Sequence, residues 1–325
     1  MAAYALRRIA WTVPVLFVVV TVLFLMMQVV GGDPLRPGKL AGLSNGQGWV
    51  KRGDPKSASI TANQRRNLGL DSPWYSRYGR YIRSVATFDF GPTFTFRQRT
   101  VNSVIRKQGP ISAQLGLLAL AWALVIGGSF GIAAALRAGS AIDNSTQAFA
   151  SLAAALPAFL VGALAIHVFA VRLGYLPTSG WDGWRSKLLP SFVLGLVPAA
   201  YSARLLRAGM LEALGREHIV AARAKGLRRL RLVVVHIVPN AVGPLIAAIG
   251  PLVGYLVTGS FVVERVFAIP GIGRYYVAGV LARDYPLVLG LTVVLTLAIV
   301  TANLVVDLVQ AALDPRVRER VVVAA

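Results

Sequence analysis

A chain of 325 residues that is 56% hydrophobic and only 14% charged lies outside the range of soluble domains, where about a quarter of residues are charged. Its formal charge of +21 is scattered through loops and tails instead of lining one amphipathic face, which argues against a nucleic-acid partner. The absence of cysteine excludes disulfides, thiolate metal sites and a cysteine nucleophile, and three histidines, at 167, 218 and 236, exclude a histidine-rich metal cage.

The expected solvent is the bilayer, whose core of about 30 Å needs runs of 18 or more apolar residues. Arg7 and Arg8 precede an apolar run from Ile9 to Val30, which is longer than a signal-peptide core and lacks a small-x-small cleavage site, so it reads as a retained first span. A long polar stretch follows to about Gly109. Its first half, around Asp33 to Asn63, reads as a mobile loop. Its second half carries Trp74, Tyr75, Tyr78, Tyr81, Phe88 and Phe90 and reads as short interfacial helices.

Ile111 to Leu136 is the second span, and Gly127, Gly128 and Gly131 give it small-xxx-small spacing, which allows two helix backbones to approach closely. Arg137 and Asp143 mark a short loop. Ala148 to Ala170 is the third span, interrupted by Pro157, and a wet loop with Trp181 and Trp184 follows it. The fourth span, Leu189 to Leu206, holds Pro190 and Pro198, which neighbouring helices make tolerable in a membrane. Asn240 to Val263 is the fifth, and Tyr285 to about Gln310 the sixth. The expectation is an all-α, six-helix bundle: residues 1–30 form the tail and first span, 31–110 an external loop, 111–310 the core and 311–325 a tail. Thirteen basic residues fall in the short segments on the side of the termini. Six fall on the other: Arg172, Arg185, Lys187, Arg265, Arg274 and Arg283. Both termini are therefore expected to be cytoplasmic; the long first loop holds fourteen more basic residues, but loops of that length translocate largely regardless of charge.

Met210 to Pro239 is the long polar interval of the second half, within a cytoplasmic loop spanning 207–239. Arg216, Arg223, Lys225, Arg228, Arg229 and Arg231 outnumber Glu212 and Glu217 there. Ile219 to Lys225 reads as a short helix with Gly226 as its C-cap and cations in its last turn. Ala221, Ala222 and Ala224 would let another surface approach closely, and Pro239 marks the start of the next long helix. The competing reading is a positive-inside retention loop, which accounts for the charge and not for the spacing to Pro239.

No Gly-x-x-x-x-Gly-Lys-Ser/Thr loop is present, so the chain does not cradle ATP phosphates itself. No His-Glu-x-x-His or Gly-x-Ser-x-Gly occurs either, leaving an intramembrane hydrolase without an evident nucleophile or metal. Gly271 and Gly273 sit in a turn. A proton- or sodium-coupled carrier would need ionisable groups near mid-membrane; the candidates His167, Arg204 and Asp307 all fall towards span ends. A flexible bundle without an internal energy source points to a permease driven from outside, with a stand-alone carrier or channel as the alternative.

The interval resembles the cytoplasmic loop of permease subunits in bacterial ATP-binding-cassette importers, patterned Glu-Ala-Ala, three residues, Gly, nine residues, Ile-x-Leu-Pro. Val220, Ala221, Ala222, Gly226, His236, Val238 and Pro239 stand in register, with Val220, His236 and Val238 replacing Glu, Ile and Leu. Further segments are similar to the oligopeptide, dipeptide and nickel branch, and to the first, B-type, of its two permeases. They are Ala222 to Leu227, Leu68-Gly69-Leu70-Asp71, Asp89-Phe90-Gly91, Val263 to Phe267, Ile269 to Gly273, Arg283-Asp284-Tyr285-Pro286 and Leu313-Asp314-Pro315-Arg316. The resemblance implies a type I importer permease in a bacterial cytoplasmic membrane, taking up small peptides. It implies a second homologous permease, two ATPase subunits or one fused ATPase that use ATP and Mg, and an external substrate-binding protein. Membrane lipid is the surrounding solvent, and this chain itself binds no cofactor. The implied ATPase-coupling residues are Val220, Ala221, Ala222, Arg223, Ala224, Lys225, Gly226, Leu227, Arg228 and Pro239. Tyr75, Tyr78, Glu264 and Arg274, on the external side, are candidates for binding-protein or gate contacts; interfacial anchoring by aromatics is the competing reading for the tyrosines.

Overall fold

The computed structural model describes residues 2–29, 71–96 and 99–313. The loop expected around Asp33 to Asn63, the triplet Leu68-Gly69-Leu70 and the tail from Asp314 lie outside the described residues. Within them the chain is almost wholly helical, the exception being a single bridge between Pro92 and Thr100. The helices are α1 (Ala2–Val29), α2 (Trp74–Thr87), α3 (Val101–Leu136), α4 (Ala141–Ala155), α5 (Ala158–Ala165), α6 (Arg185–Leu214), α7 (Glu217–Ala224), α8 (Val238–Ala241), α9 (Gly243–Val266), α10 (Ile272–Ala282) and α11 (Tyr285–Leu313). Among the described residues α3, α6, α9 and α11 are each long and apolar enough to cross a bilayer, and α1 has an apolar core at Ala10–Met26.

The third expected span departs from a straight helix. α4 and α5, the latter extended by a π-helical stretch at Ile166–Arg172, meet at 106°. The break follows from Pro157: its ring pushes the preceding residue out of the helical region, and Leu156 sits at φ −85°, ψ 129°. A second departure concerns Pro239, which lies inside four-residue α8 and does not open the long helix. That helix, α9, begins at Gly243; Pro244 has no N–H to continue the ladder from Asn240, so the helix restarts there. A third concerns Asp143, which belongs to the first turn of α4 and is buried, not part of a loop.

The chain forms two compact units that do not follow its linear order. One comprises Met1–Arg8, Ser112–Pro270 and Ile299–Ala325; the other comprises Ile9–Ile111 and Gly271–Ala298. In the first, α6 is the central helix, with α4 against it through Ala150, Ala153 and Ala200 and α3 against it through backbone-close contacts. A Cβ on Gly127 would meet the Ala199 carbonyl, one on Gly131 the Ala203 carbonyl and one on Gly195 the Ala119 carbonyl. The expected small-xxx-small pair is therefore Gly127 and Gly131, four residues apart on one face, while a Cβ on Gly128 would meet only the tip of Leu206. Gly209 of α6 approaches the Ala241 carbonyl of α8 in the same way.

In the second unit α2 lays one stripe, Tyr78, Tyr81, Ile82 and Val85, against a core of Val20, Phe24, Phe90, Val101, Leu287 and Leu291. That i, i+3, i+4, i+7 spacing is what an amphipathic helix requires. Phe88, at φ 52°, closes α2, and Asn102 holds the turn by accepting from Phe90 N–H (3.1 Å) and donating to the Phe88 carbonyl (2.5 Å).

Candidate functional site

The polar interval between α6 and α9 folds as a surface helix on a buried footing. α7 starts after extended Arg216, carries Glu217 in its first turn and Arg223 in its last, and ends when Gly226 turns to φ +74°. That handedness is what a C-terminal glycine supplies, and Gly226 N–H bonds the Arg223 carbonyl at 3.0 Å. One face is anchored: Ile219 is fully buried with Met210, Ala213, Leu232, Val233 and Ile237, and Ala222 packs against this cluster. Burying a side chain of that size contributes about 1.5–3 kcal/mol, which an eight-residue helix needs because isolated helices of this length are marginal in water.

The opposite face is open. Ala221, Arg223, Ala224, Lys225, Gly226 and Arg228 are exposed, Leu227 is half-buried, and Pro239 is exposed beyond the π-helical stretch Leu232–Ile237. For Val220 only the backbone position within α7 is described. Arg216 pairs with Glu212 at 2.8 Å across one helical turn, an exposed contact worth a few tenths of a kcal/mol.

Two polar links flank this helix, one from Arg229 just beyond it and one between α6 and α4, and neither is visible in the residue pattern. Arg229 donates to the carbonyl of Leu136, the last residue of α3, at 3.4 Å. Arg207 of α6 forms a two-pronged pair with Asp143 of α4, Nε to Oδ1 at 2.5 Å and Nη2 to Oδ2 at 2.6 Å, and Asp143 also accepts from Gly139 N–H at 3.0 Å. Asp143 lies 64 residues from Arg207, beyond any local spacing signal. Of the three ionisable span residues, Arg204 is exposed and donates to the Ala150 carbonyl at 3.3 Å, His167 is exposed in the π-helical stretch, and Asp307 is half-buried in α11.

The four external candidates have different settings. Tyr75 is 64% exposed on α2. Tyr78 is half-buried, its hydroxyl 2.7 Å from that of Thr21 and its ring 5.2 Å from Phe24. Arg274 is exposed near the start of α10. Glu264 is fully buried, accepts from the Ser112 hydroxyl at 2.6 Å and presents no surface to a docking protein in this conformation. A further residue emerges from the Arg-Asp-Tyr-Pro motif. Asp284, fully buried, caps α11 by accepting from Leu287 N–H (3.2 Å) and holds the turn before α3 through the Phe94 and Thr95 N–H groups, both at 2.8 Å. Burial pushes its carboxyl above the usual range, and the three N–H groups oppose that shift.

These elements define an all-α polytopic membrane protein with a basic surface helix between two spans. Residues 127–319 match the family described as binding-protein-dependent transport system inner membrane component. The dipeptide transport system permease protein DppB of Bacillus subtilis is 34% identical over 318 residues, 98% of either chain. The oligopeptide transport system permease protein OppB of Salmonella typhimurium is 35% identical over 320 residues, 98% of this chain and 100% of that one. The glutathione transport system permease protein GsiC of Escherichia coli is 34% identical over 318 residues, covering 98% and 99%. Among solved structures, one of the MetNI methionine ABC transporter superposes with a TM-score of 0.54 at 19% identity, over 65% of this chain and 96% of that chain, which shows a shared fold.

The chain therefore belongs to the inner-membrane components of binding-protein-dependent transport systems. It is the membrane-embedded permease of an ATP-binding-cassette importer, working with a binding protein and with ATPase activity carried by separate subunits.

Proposed function

We propose that this chain is the B-type permease of a peptide importer. It pairs with a second, homologous permease, takes cargo from an external binding protein, and receives the work of two ATPase subunits or one fused ATPase through α7. The observation that carries this reading is the end-to-end similarity to permeases named for dipeptide and oligopeptide transport. The geometry supports α7 as the coupling element: small exposed side chains at Ala221 and Ala224 suit insertion into a groove, and Arg223, Lys225 and Arg228 suit an acidic rim. Six spans with both termini cytoplasmic would place α7 on the ATPase side, and Tyr75 and Arg274 on the binding-protein side. The burial of Glu264 supports a gating contribution for that residue.

The test is reconstitution of the assembled transporter with binding protein loaded with a dipeptide, a longer peptide, glutathione or a nickel chelate. A peptide-loaded binding protein should stimulate ATP hydrolysis and drive uptake into vesicles. Stimulation by the nickel chelate alone would reassign the cargo. Gradient-driven uptake by this chain without an ATPase would replace the importer reading with a secondary carrier.

A further inference from the structure

α3 and α6, each long and apolar enough to cross a bilayer, run side by side in the same sense, Ala119 meeting Gly195 and Gly131 meeting Ala203. Beside that seam lies a groove of about 560 Å³ that the transport reading does not use. Leu118, Ala121 and Val125 of α3 and Leu188 of α6 give it aliphatic walls. Two contacts fix its polar end. Trp181 donates its indole N–H to Gln114 Oε1 at 3.1 Å, and Trp122 donates to the Ser191 hydroxyl at 3.2 Å, so the start of α6 lies against the Gln114 end of the groove. Gln114, Trp184 and Lys187 line it there.

Two cations stand at this end, each over an indole. Lys187 Nζ is 5.5 Å from the Trp181 ring centroid, and the Arg185 guanidinium carbon is 5.5 Å from that of Trp184. An aromatic face attracts a cation but carries no net charge, so both positive charges persist. Among the described residues neither cation, nor Asp182 in the turn before α6, takes part in an ion pair. Lys187 is half-buried and itself lines the groove, which places a positive charge at the mouth.

The dimensions narrow the ligand. From Gln114 to Val125 α3 rises about 16 Å, close to the depth of one leaflet in a hydrocarbon core about 30 Å thick. Ala121 and Val125 are exposed, so the aliphatic part is open along its side. Tryptophan and lysine next to an apolar span belong to the membrane–water boundary, where lysine keeps its charge in water while its stem lies on apolar surface. A groove one leaflet long, cationic at the boundary and aliphatic below it, matches a phospholipid in both charge and length.

We propose that this groove holds an anionic phospholipid, its phosphate at Lys187 and one acyl chain along Leu118, Ala121 and Val125. The lipid covers the seam where α3 meets α6.

The test uses the full-length chain purified with its partner subunits and depleted of lipid. The complex is offered phosphatidylglycerol, phosphatidylcholine of the same acyl composition, or phosphatidylglycerol with millimolar dipeptide, and retained molecules are weighed by native mass spectrometry. Phosphatidylglycerol should be retained about fivefold over phosphatidylcholine, the size expected for one basic side chain at an anionic head group. Lys187→Gln should abolish that preference, and Lys187→Arg should keep it. Ala121→Trp, at an exposed position, fills the groove without changing charge and should remove one retained lipid of either kind per complex, so the apolar part is read independently of Lys187. Equal retention of the two lipids by the parent, a preference that survives Lys187→Gln, or an unchanged lipid count in Ala121→Trp would each overturn the assignment. So would displacement of the lipid by dipeptide, which would make the groove a cargo site, or retention of neither lipid, which would mean that the second permease covers it.

Discussion

α6 and α7 are neighbours in sequence and opposites in construction. α6 buries sixteen of its thirty residues, lies backbone-to-backbone with its neighbours at Gly195 and Gly209, and receives α3 through Gly127 and Gly131. α7 has eight residues; among its described side chains Ile219 is the fully buried anchor, and alanines and cations make an exposed face. The difference separates two tasks. A helix in backbone contact with its neighbours moves with them as one body, because close-packed interiors do not deform smoothly. A helix anchored along one face and open on the other is built to be gripped. Force applied to α7 would pass to α6 through the Ile219 cluster and to α3 through Arg229.

The contrast yields four expectations, ordered by size. Asp143→Ala strands the Arg207 guanidinium and should give the largest loss of bundle stability of the four, read as a lower thermal midpoint in detergent; no change would remove the charge pair from the account of α6. Ile219→Ala should cost about 2–5 kcal/mol, confined to α7 and seen as faster amide exchange in Glu217–Ala224 with the rest of α6 protected. Loss of protection throughout α6 would mean the two helices are not separable. Gly131→Leu forces a side chain against the Ala203 carbonyl and should cost about 1–3 kcal/mol or prevent assembly; Gly128→Leu, whose Cβ would make only an ordinary contact with the tip of Leu206, should be milder in the same assay. Gly226→Val places a branched side chain at φ +74° and should cost roughly 1–2 kcal/mol, lowering transport more than insertion, measured as uptake against membrane protein level.

Much of α7 was legible because its signals are local: small residues at successive helical positions, then a glycine at the one place the chain must turn left-handed. The glycine face of α3 was legible for the same reason, although spacing alone did not separate Gly128 from Gly127 and Gly131; that required knowing which side α6 occupies. Hydropathy placed the start of α3 at Ile111, whereas the helix begins at Val101, because Arg106, Lys107 and Gln108 interrupt the apolar run without interrupting the backbone ladder. α10 escaped notice because eleven residues are too few to span a bilayer. Pro157 announced a break, but the 106° bend depends on how each half packs. The Asp143–Arg207 pair and the contacts of Asp284 with Phe94 and Thr95 join residues far apart in the chain, which no pattern in a single sequence displays.

The central claim, that α7 is where the ATPases grip, is most directly tested with one thiol. The chain has no cysteine, so Ala224→Cys gives it a single thiol, which can carry a thiol-reactive photocrosslinker attached before the chain is assembled with its partner subunits. The account predicts an adduct with an ATPase subunit, and loss of peptide uptake on labelling while the complex stays assembled. Adducts only with lipid or with the second permease, together with undiminished uptake by the labelled complex, would contradict it.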